Sequence, residues 1–269
     1  MSFSEIREST KMQLLEKVRR HDYGKYLYKA SIERIRGFFQ EDIVFDFPVT
    51  ALIGPNGSGK SSVLGVAGCA YKPVKPGSFF PKSTVGDESM SVWRVDYELI
   101  DKVISPRQLI KRTSSFRQSK WVRAEVADRD ILFFGIERTV PAGEKTRYKK
   151  LMRSTYVHRP PLTPLSDEVA QQVEHILGKS VAEYRVTEYG FDDSFLVGRA
   201  GSNNFSEFHF GAGESSIIRM ITRIEQAPPN SLILIEEIEN GLHPVATRRM
   251  VEYLIDVANR RAIQTVFTK

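Results

Sequence analysis

The sequence Gly54-Pro-Asn-Gly-Ser-Gly-Lys-Ser61 lies between a short apolar run, Val49 to Ile53, and a run of small and apolar residues, Ser61 to Tyr71. It matches G-x-x-x-x-G-K-[ST], the pattern of a loop that joins a strand to a helix and wraps its backbone N–H groups around phosphates. Glycines permit the tight turns, and the positive end of the following helix attracts anions. The stretch predicts a nucleotide-phosphate loop, and a glycine-rich turn without a ligand is the alternative interpretation.

Three residues at the end of this loop and the start of the next helix have individual predicted roles toward ATP and Mg²⁺. Lys60 is expected to reach the β- and γ-phosphates, Ser61 to place its hydroxyl on Mg²⁺, and Ser62 to face the α-phosphate side. The predicted nucleotide contacts in this part of the chain are Gly54, Asn56, Gly57, Ser58, Gly59, Lys60, Ser61 and Ser62.

A second chemical signal is the apolar run Leu232 to Ile235, which ends in two carboxylates, Glu236 and Glu237. A buried parallel strand delivers such acids to the carboxyl edge of its sheet, where phosphate and metal bind. Because adjacent strand residues face opposite ways, the two acids are expected to differ in role. We assign Glu236 to the metal and Glu237 to general-base catalysis; taken alone, the hexapeptide also fits two solvated acids at a strand end.

Composition excludes several classes of protein. The 269 residues are 41% hydrophobic, 27% charged and 10% aromatic, as in a globular chain rather than a fibrous or disordered one. The one cysteine, Cys69, cannot form an intramolecular disulfide or a cysteine-rich zinc site, which favours a reducing compartment. No apolar run approaches the ~20 residues needed to cross a bilayer, and the N-terminal residues are charged throughout. The sequence predicts a cytoplasmic protein without a membrane segment.

The formal net charge is +6, and the excess is concentrated in two stretches without intervening acids. The first stretch comprises Lys102, Arg107, Lys111, Arg112, Arg117, Lys120 and Arg123, and the second comprises Lys145, Arg147, Lys149, Lys150, Arg153 and Arg159. Trp121, Tyr148 and Tyr156 lie among them and could stack on bases or pack in the core. Two interpretations stay open, a solvated basic face and a surface for nucleic acid or an acidic partner.

Strand and helix signals divide the chain into three parts. Residues 1–25 predict a helical extension, and residues 26–161 predict a lobe with antiparallel strands and the phosphate loop. Residues 162–269 predict a lobe in which strand and helix alternate, which is typical of a parallel sheet. The fold class is predicted as α/β. The predicted helices cover residues 3–20, 61–71, 167–177, 214–226 and 244–259, and the predicted strands cover residues 28–38, 42–47, 49–53, 91–99, 131–134, 205–210, 232–235 and 262–267.

Together with the phosphate loop, two further motifs carry a resemblance to a known family. They are Phe210-Gly-Ala-Gly-Glu-Ser-Ser216 and Ile233-Leu-Ile-Glu-Glu-Ile-Glu-Asn-Gly-Leu-His-Pro244. The chain resembles the P-loop heads of ATP-binding-cassette ATPases, specifically the heads related to chromosome-maintenance and double-strand-break-repair ATPases. The resemblance covers roughly residues 28 to 269 and implies a mixed-sheet lobe plus a parallel-sheet lobe with flanking helices.

The resemblance also implies a role for the first of these motifs. In that family a signature loop about twenty residues before the acidic strand caps the nucleotide held by a second subunit. Gly211, Gly213 and Glu214 stand at the matching positions, which implies an ATP-dependent head-to-head homodimer or higher oligomer. Glu239 and Asn240 would lie near the dimer seam, and His243 would cap, pack or face the nucleotide.

The chain departs from the family pattern at several positions. Gly211 replaces the usual serine of the signature, Ala212 replaces a glycine, and Glu236 replaces the usual aspartate. The family's switch histidine has no counterpart before Lys269, so we expect a longer protein with an additional segment. A glutamine loop is not evident, because Gln108 and Gln118 are both candidates.

About 150 residues separate the phosphate loop from the signature. This is too few to hold both the lobes of the fold and a long coiled-coil arm. A membrane transporter would need a separate membrane subunit. Among compact ATPases, the chain looks most like the ATPase component of bacterial antiviral defence systems, Septu-like or overcoming-lysogenisation-defect-like. We expect a prokaryotic defence or repair ATPase with a nuclease partner or effector domain and with double-stranded DNA as a candidate ligand. The alternative is a nucleotide-gated scaffold with little turnover and no DNA contact.

Overall fold

The computed structural model describes residues 6–83, 85, 88–149, 152, 161–189, 193–200 and 203–269. Among the residues singled out above, Lys150, Arg153, Tyr156 and Arg159 lie outside this part of the chain.

The described helices and strands follow in chain order. The helices are α1 (Glu8–Arg19), α2 (Lys60–Cys69), α3 (Pro76–Phe79), α4 (Asp167–Leu177), α5 (Ala212–Gln226) and α6 (Pro244–Arg261). The strands are β1 (Lys25–Ile35), β2 (Phe38–Val44), β3 (Val49–Leu52), β4 (Arg94–Asp101), β5 (Ile110–Arg117), β6 (Lys120–Arg123), β7 (Ile131–Phe134), β8 (Thr163–Pro164), β9 (Arg185–Tyr189), β10 (Asp193–Ala200), β11 (Asn203–Ser206), β12 (Leu232–Ile235) and β13 (Gln264–Thr268). Short 3₁₀ turns cover Glu88–Val92, Ile136–Thr139, Ala142–Glu144, Thr146–Tyr148 and Glu207–His209.

The chain forms two compact units, each assembled from separated segments. The first unit consists of Met1–Phe133, Ala227–Ile238 and Leu254–Lys269, and the second of Phe134–Gln226 and Glu239–Tyr253. Because each unit is built from separated segments, the chain passes from one unit to the other several times, once in the middle of α6. The lobes predicted from the sequence, 26–161 and 162–269, are by contrast continuous segments.

An antiparallel sheet in the first unit has the strand order β2-β1-β4-β5-β6. The β1–β2 connection is tight: Ile35 pairs with Phe38, and Arg36 between them has a positive φ of 50°. The sequence predicted one strand over 28–38 and another over 42–47, but the chain reverses at Arg36-Gly37. The burial of β4 alternates along most of its length, as expected for a sheet with one face on a core.

The parallel strands that position the candidate site form the sheet β3-β13-β12-β7. β13 pairs in parallel with β3 on one side, where Thr268 lies opposite Leu52, and with β12 on the other, where Phe267 lies opposite Ile235. β12 and β13 are buried along their whole length, which explains their continuous apolar sequences. α2 packs close to β12, since a Cβ added at Gly68 would lie 3.0 Å from the Leu234 side chain.

A buried arginine ties together distant parts of the first unit. Arg129 is 2% exposed, and its guanidinium donates to the carbonyls of Asn230 (2.7 Å) and Ser231 (3.2 Å). It also donates to the Tyr71 hydroxyl (3.0 Å) and to Oε1 of Gln264 (2.8 Å). These groups lie next to α2, β12 and β13, so one cation joins three elements of the unit.

The second unit contains α4, α5 and a sheet with the order β11-β10-β9-β8. α4 has the predicted bounds, with a Ser166 side-chain cap at its start and Gly178 at φ 71° after its end. The prediction of a strand over 205–210 is wrong for the second half of that range, because Glu207–His209 form a 3₁₀ turn. The side chain of Glu207, 1% exposed, points inward and accepts from the Leu196 N–H at 3.0 Å and from Arg219.

None of the helices in the described ranges has both the length and the apolar character needed to span a bilayer.

Candidate active site

The phosphate loop leaves β3 after Leu52 and enters α2 at Lys60. Gly57 and Gly59 have φ values of 81° and 91°, in the left-handed region that only glycine adopts without strain. Gly59 is the residue that precedes the first turn of α2, and a Cβ there would come within 2.5 Å of the Phe38 ring. Two of the three glycines in the motif are therefore required by backbone conformation, and one of them also by packing.

Lys60 folds back over the loop. Its ammonium donates to the carbonyl oxygens of Gly54 (2.6 Å) and Pro55 (3.1 Å). The first N–H groups of a helix lack carbonyl partners within that helix and carry partial positive charge. The ammonium and the start of α2 thus present positive charge at one place, as a loop for phosphate requires.

The two serines that follow Lys60 differ in environment. Ser61 is exposed at the start of α2, whereas Ser62 is 3% exposed, and its hydroxyl accepts a hydrogen bond from Arg36 at 2.9 Å. Arg36 also donates to the Phe79 carbonyl at 2.9 Å and lies over the Phe80 ring. The structure therefore places Arg36 beside the first turn of α2, where Ser62 joins it to the helix.

The two predicted acids follow β12 directly. Glu236 is half-buried and Glu237 exposed, and both lie in the bend after the strand rather than in it. Glu237 has a φ of 42°, a left-handed conformation that costs on the order of 1–3 kcal/mol for a residue with a side chain. Its N–H donates to the Thr268 hydroxyl at 2.7 Å. The expected strand alternation does not set their directions, because the backbone turns at Glu237.

The phosphate loop and the acids lie at the same edge of the parallel sheet. β13 separates β3 from β12, so the ends of these strands are two strand spacings, about 10 Å, apart. All of these residues belong to the first unit. Lys60, Ser61, Glu236 and Glu237 therefore all lie at one edge of this sheet.

The residues at this edge fit a magnesium nucleotide. The left-handed glycines, the Lys60 ammonium and the start of α2 suit a polyphosphate, and the oxygens of Ser61 and Glu236 are the hard ligands that Mg²⁺ prefers. No cluster of three or more histidine, cysteine or acidic side chains suited to a metal ion occurs in the described part of the chain. Mg²⁺ at phosphate loops typically uses one or two protein oxygens together with phosphates and water, so such a cluster is not needed.

The predicted signature turn lies in the second unit, at the start of α5. A Cβ on Gly213 would overlap the carbonyl oxygen of Gly241, which itself has a φ of 76°. The turn therefore packs backbone to backbone against the loop that follows the acidic strand in sequence. Gly211 is exposed, and a Cβ there would meet nothing closer than 4.0 Å.

The third predicted signature residue, Glu214, is held within the second unit. Its carboxylate accepts from the Lys179 ammonium at 2.6 Å and from the Tyr184 hydroxyl. Burial works against the charged form of Lys179, but the bond to Glu214 outweighs it, so the pKa of Lys179 is raised. Burial, aided by Glu214, also raises the pKa of Tyr184. These contacts fix the first turn of α5.

The Glu239 to Pro244 stretch has further structural contacts in the same unit. The amide of Asn240 donates to the Thr139 hydroxyl at 2.9 Å. Nδ1 of His243 accepts from the N–H of Val245 at 3.3 Å, which caps the start of α6. Of the roles considered for His243, capping is the one that the structure shows.

Three residues at the site lie outside the sequence motifs. Phe38 packs on Gly59, Arg36 holds Ser62, and Thr268 holds Glu237. Their positions depend on strand pairing, which a motif does not encode. The Arg36-Gly37 turn between two strands was the one local signal for Arg36.

Comparisons with known proteins agree with this architecture. The SMC head domain from Thermotoga maritima matches with a TM-score of 0.51 and 13% identity, over 90% of this chain and 88% of that one. A Pyrococcus furiosus Smc head domain, with an extended coiled coil and bound to the C-terminal domain of ScpA, matches with a TM-score of 0.56 and 11% identity, over 91% and 89%. The recombination mediator protein RecF with ATP matches with a TM-score of 0.52 and 9% identity, over 92% and 94%. These likenesses confirm the predicted α/β P-loop fold.

Family models match in both halves of the chain, whereas no curated protein matches it. A model described as "AAA domain" matches residues 29–65, the segment from β1 into α2. A second model, described as "AAA domain, putative AbiEii toxin, Type IV TA system", matches residues 98–268. That match spans more than half of the 269 residues and includes β12, β13 and the acids between them. The chain therefore belongs to this AAA domain family.

Proposed function

We propose that the chain binds ATP with Mg²⁺ at the edge of the parallel sheet and hydrolyses it. The observation that carries the proposal is the pairing of a phosphate loop, with left-handed Gly57 and Gly59, with two carboxylates two strands away. Lys60 and the start of α2 would bind the phosphates, and Ser61 and Glu236 would hold Mg²⁺. When bound, Mg²⁺ supplies positive charge against the phosphate oxygens. The Glu237 carboxylate would accept the proton of the attacking water.

Two substitutions test this assignment separately. Lys60→Ala is expected to raise the ATP dissociation constant about 100-fold or more, since it removes the ammonium at the phosphates. Glu237→Gln should keep ATP affinity and lower phosphate release by about 10²–10⁴-fold. ATP affinity is measured by equilibrium titration and hydrolysis by single-turnover phosphate release. Exposed Lys72→Ala and Glu41→Gln are matched controls. Wild-type turnover in Glu237→Gln would refute the general-base role.

We further propose that ATP joins two copies of the chain head to head, with the turn at Gly211 and Gly213 facing the partner's nucleotide. Support comes from Gly211, which is exposed and directly precedes α5, a helix whose first N–H groups lack carbonyl partners within it. The carboxylate of Glu214 is already bound by Lys179, so its part would be to shape the turn. Glu237→Gln should double in mass by light scattering when ATP is added. A mass that ATP does not change would contradict the dimer.

Several basic residues of the first stretch already have partners within the chain, which leaves fewer of them for a contact to nucleic acid. Lys102 pairs with Asp22, Lys111 with Glu98 and Arg112 with Glu125, while Arg123 donates to the carbonyls of Cys69, Tyr71 and Val74. Among the described contacts, Arg107, Arg117 and Lys120 of the first basic stretch have no carboxylate partner. Arg117 and Lys120 face each other across the β5–β6 turn, where like charges repel, and the Lys82 ammonium donates to the Ser119 carbonyl of that turn at 3.1 Å. We propose this turn as the contact to a nucleic-acid backbone.

Salt dependence tests the nucleic-acid proposal. Phosphate contacts release counterions, so binding of double-stranded DNA should weaken steeply as salt rises. Arg117→Gln with Lys120→Gln should reduce the slope of log affinity against log salt by about two, whereas the control Lys102→Gln should leave it nearly unchanged. If an acidic protein binds to this turn and DNA does not, the result favours the alternative function, a nucleotide-gated scaffold. ATP binding without turnover would favour that same alternative.

The cellular setting we propose is a prokaryotic antiviral defence or repair system in which a nuclease, either a partner protein or an effector domain, supplies the damage. The matched family's description names a putative toxin and a type IV TA system. This supports a system in which a toxic activity is kept under control. A bacterial host that expresses the complete system should resist phage with wild-type protein and lose resistance with Lys60→Ala. Equal resistance with both would contradict a role for the nucleotide.

A further inference from the structure

Thr268, at the end of β13, fixes the backbone that carries the proposed base. Its hydroxyl accepts the Glu237 N–H at 2.7 Å, and its carbonyl accepts the Ile238 N–H at 3.0 Å. The residue is 2% exposed, so water does not readily replace either bond. Two successive peptide groups after β12 are therefore bound to a single residue of the neighbouring strand.

Thr268 also connects the base to the phosphate loop. It lies opposite Leu52, the last residue of β3, and the next N–H, that of Lys269, donates to the Leu52 carbonyl at 3.0 Å. Leu52 is two residues before Gly54, where the loop begins. Thr268 therefore lies between β3, which leads into the phosphate loop, and the backbone of Glu237.

The conformation of Glu237 needs such a support. Its φ of 42° is one that a residue with a Cβ rarely adopts, and it directs the side chain differently from an extended continuation of β12. Without an acceptor, the Glu237 N–H would lose its bond, and the backbone could relax toward an extended form. The carboxylate would then move relative to Lys60 and Ser61.

We infer that Thr268 is a positioning residue for hydrolysis, which holds Glu237 in the left-handed conformation through its hydroxyl. The inference rests on the proposed function, because it assigns Thr268 an effect on the rate through the proposed base. It gives Thr268 no contact with nucleotide. ATP affinity should therefore be independent of the hydroxyl.

The matched pair Thr268→Val and Thr268→Ser tests the inference. Valine keeps the shape of threonine and removes the acceptor, while serine keeps the acceptor and removes the methyl group. Thr268→Val should slow single-turnover hydrolysis about tenfold, the effect of one lost hydrogen bond at a positioned group, with the ATP dissociation constant changed less than about twofold. Thr268→Ser should remain within about threefold of wild type. A Thr268→Val rate equal to wild type, or equal slowing in both variants, would overturn the inference.

A double variant shows whether the effect passes through Glu237. In the Glu237→Gln background, Thr268→Val should add no further slowing, since residues that act as one unit are not additive. A further tenfold loss there would mean that Thr268 acts by another route.

Amide hydrogen exchange provides a readout without nucleotide and separates this inference from the proposed function. The Glu237 N–H should be protected in wild type and Thr268→Ser and should exchange at least about tenfold faster in Thr268→Val. If Glu237→Gln hydrolyses ATP normally, the proposed function fails while the exchange experiment still decides whether Thr268 holds this amide. Unchanged exchange in Thr268→Val would refute the support itself.

Discussion

At the scale of single residues, three positive φ angles shape the backbone of the candidate site. Gly57, Gly59 and Glu237 all have positive φ, and they flank the place where phosphate and base would meet. The glycines were readable from the motif, because a phosphate loop requires them. The left-handed Glu237 was not, because the hydrogen bond from its N–H goes to a residue 31 positions away in the chain.

Gly59→Ala tests the loop conformation. Alanine at φ 91° is strained, and its Cβ would meet the Phe38 ring, so the loop must deform. We expect ATP affinity to fall at least about tenfold, measured by equilibrium titration, as the N–H groups lose their alignment. Gly77→Ala is the control, since a Cβ there meets nothing within 4 Å and the φ is not positive. Equal affinities in the two variants would contradict the geometric requirement.

The free thiol of Cys69 provides a second test at this scale. Cys69 is 3% exposed, and burial raises its pKa to about 12, so the thiolate is scarce at neutral pH. Iodoacetamide at pH 8 should label the folded protein at least about 100-fold more slowly than the protein unfolded in guanidinium chloride. Rapid labelling under native conditions would show that the end of α2 opens readily.

At the scale of elements, prediction succeeded where one element carries its own signal. α4, β7 and β12 have the predicted bounds, since a capped amphipathic helix and short apolar strands are defined locally. The strands β8 to β10 were not predicted. They form by pairing with one another, and strand preference depends on such neighbours more than on sequence alone.

The start of α5 depends on a close backbone contact, which a pair of glycine variants tests. Gly213→Ala should lower the free energy of unfolding by about 2 kcal/mol or more, because its Cβ would overlap the Gly241 carbonyl. Gly211→Ala, two residues earlier in open space, should change it by less than about 0.5 kcal/mol. Urea denaturation monitored by circular dichroism measures both values. Similar values for the two variants would show that the contact is dispensable.

At the scale of the whole molecule, the fold class was predictable from the sequence, whereas the strand order of the parallel sheet was not. The phosphate loop and the acidic strand imply a common sheet edge, and the sheet β3-β13-β12-β7 provides one. Its strands come from residues 49–52, 131–134, 232–235 and 264–268, so no continuous half of the chain contains the sheet. Sequence patterns mark elements but not which distant strands become neighbours.

Arg129 should contribute to stability on this larger scale. Arg129→Met would remove one buried donor from the carbonyls of Asn230 and Ser231, the Gln264 amide oxygen and the Tyr71 hydroxyl. The Ser231 carbonyl would keep the Gln264 N–H (3.0 Å), and the Gln264 amide oxygen would keep the Leu27 N–H (2.9 Å). We expect the free energy of unfolding to fall by about 3 kcal/mol, measured in urea. Exposed Arg107→Met is the control and should change it little. A small loss in Arg129→Met would mean that the remaining donors and water satisfy these groups.

The position of β13 between β3 and β12 has a consequence for biosynthesis. A ribosome releases residues 49–52 long before residues 264–268, so β3 emerges without the strand that pairs with it in the finished sheet. The nascent chain therefore contains the complete glycine motif before the strand that pairs with β3 has been made. Thr268, which accepts the Glu237 N–H, is likewise synthesised after Glu237. The proposed turnover of nucleotide would thus become possible only after β13 has been synthesised.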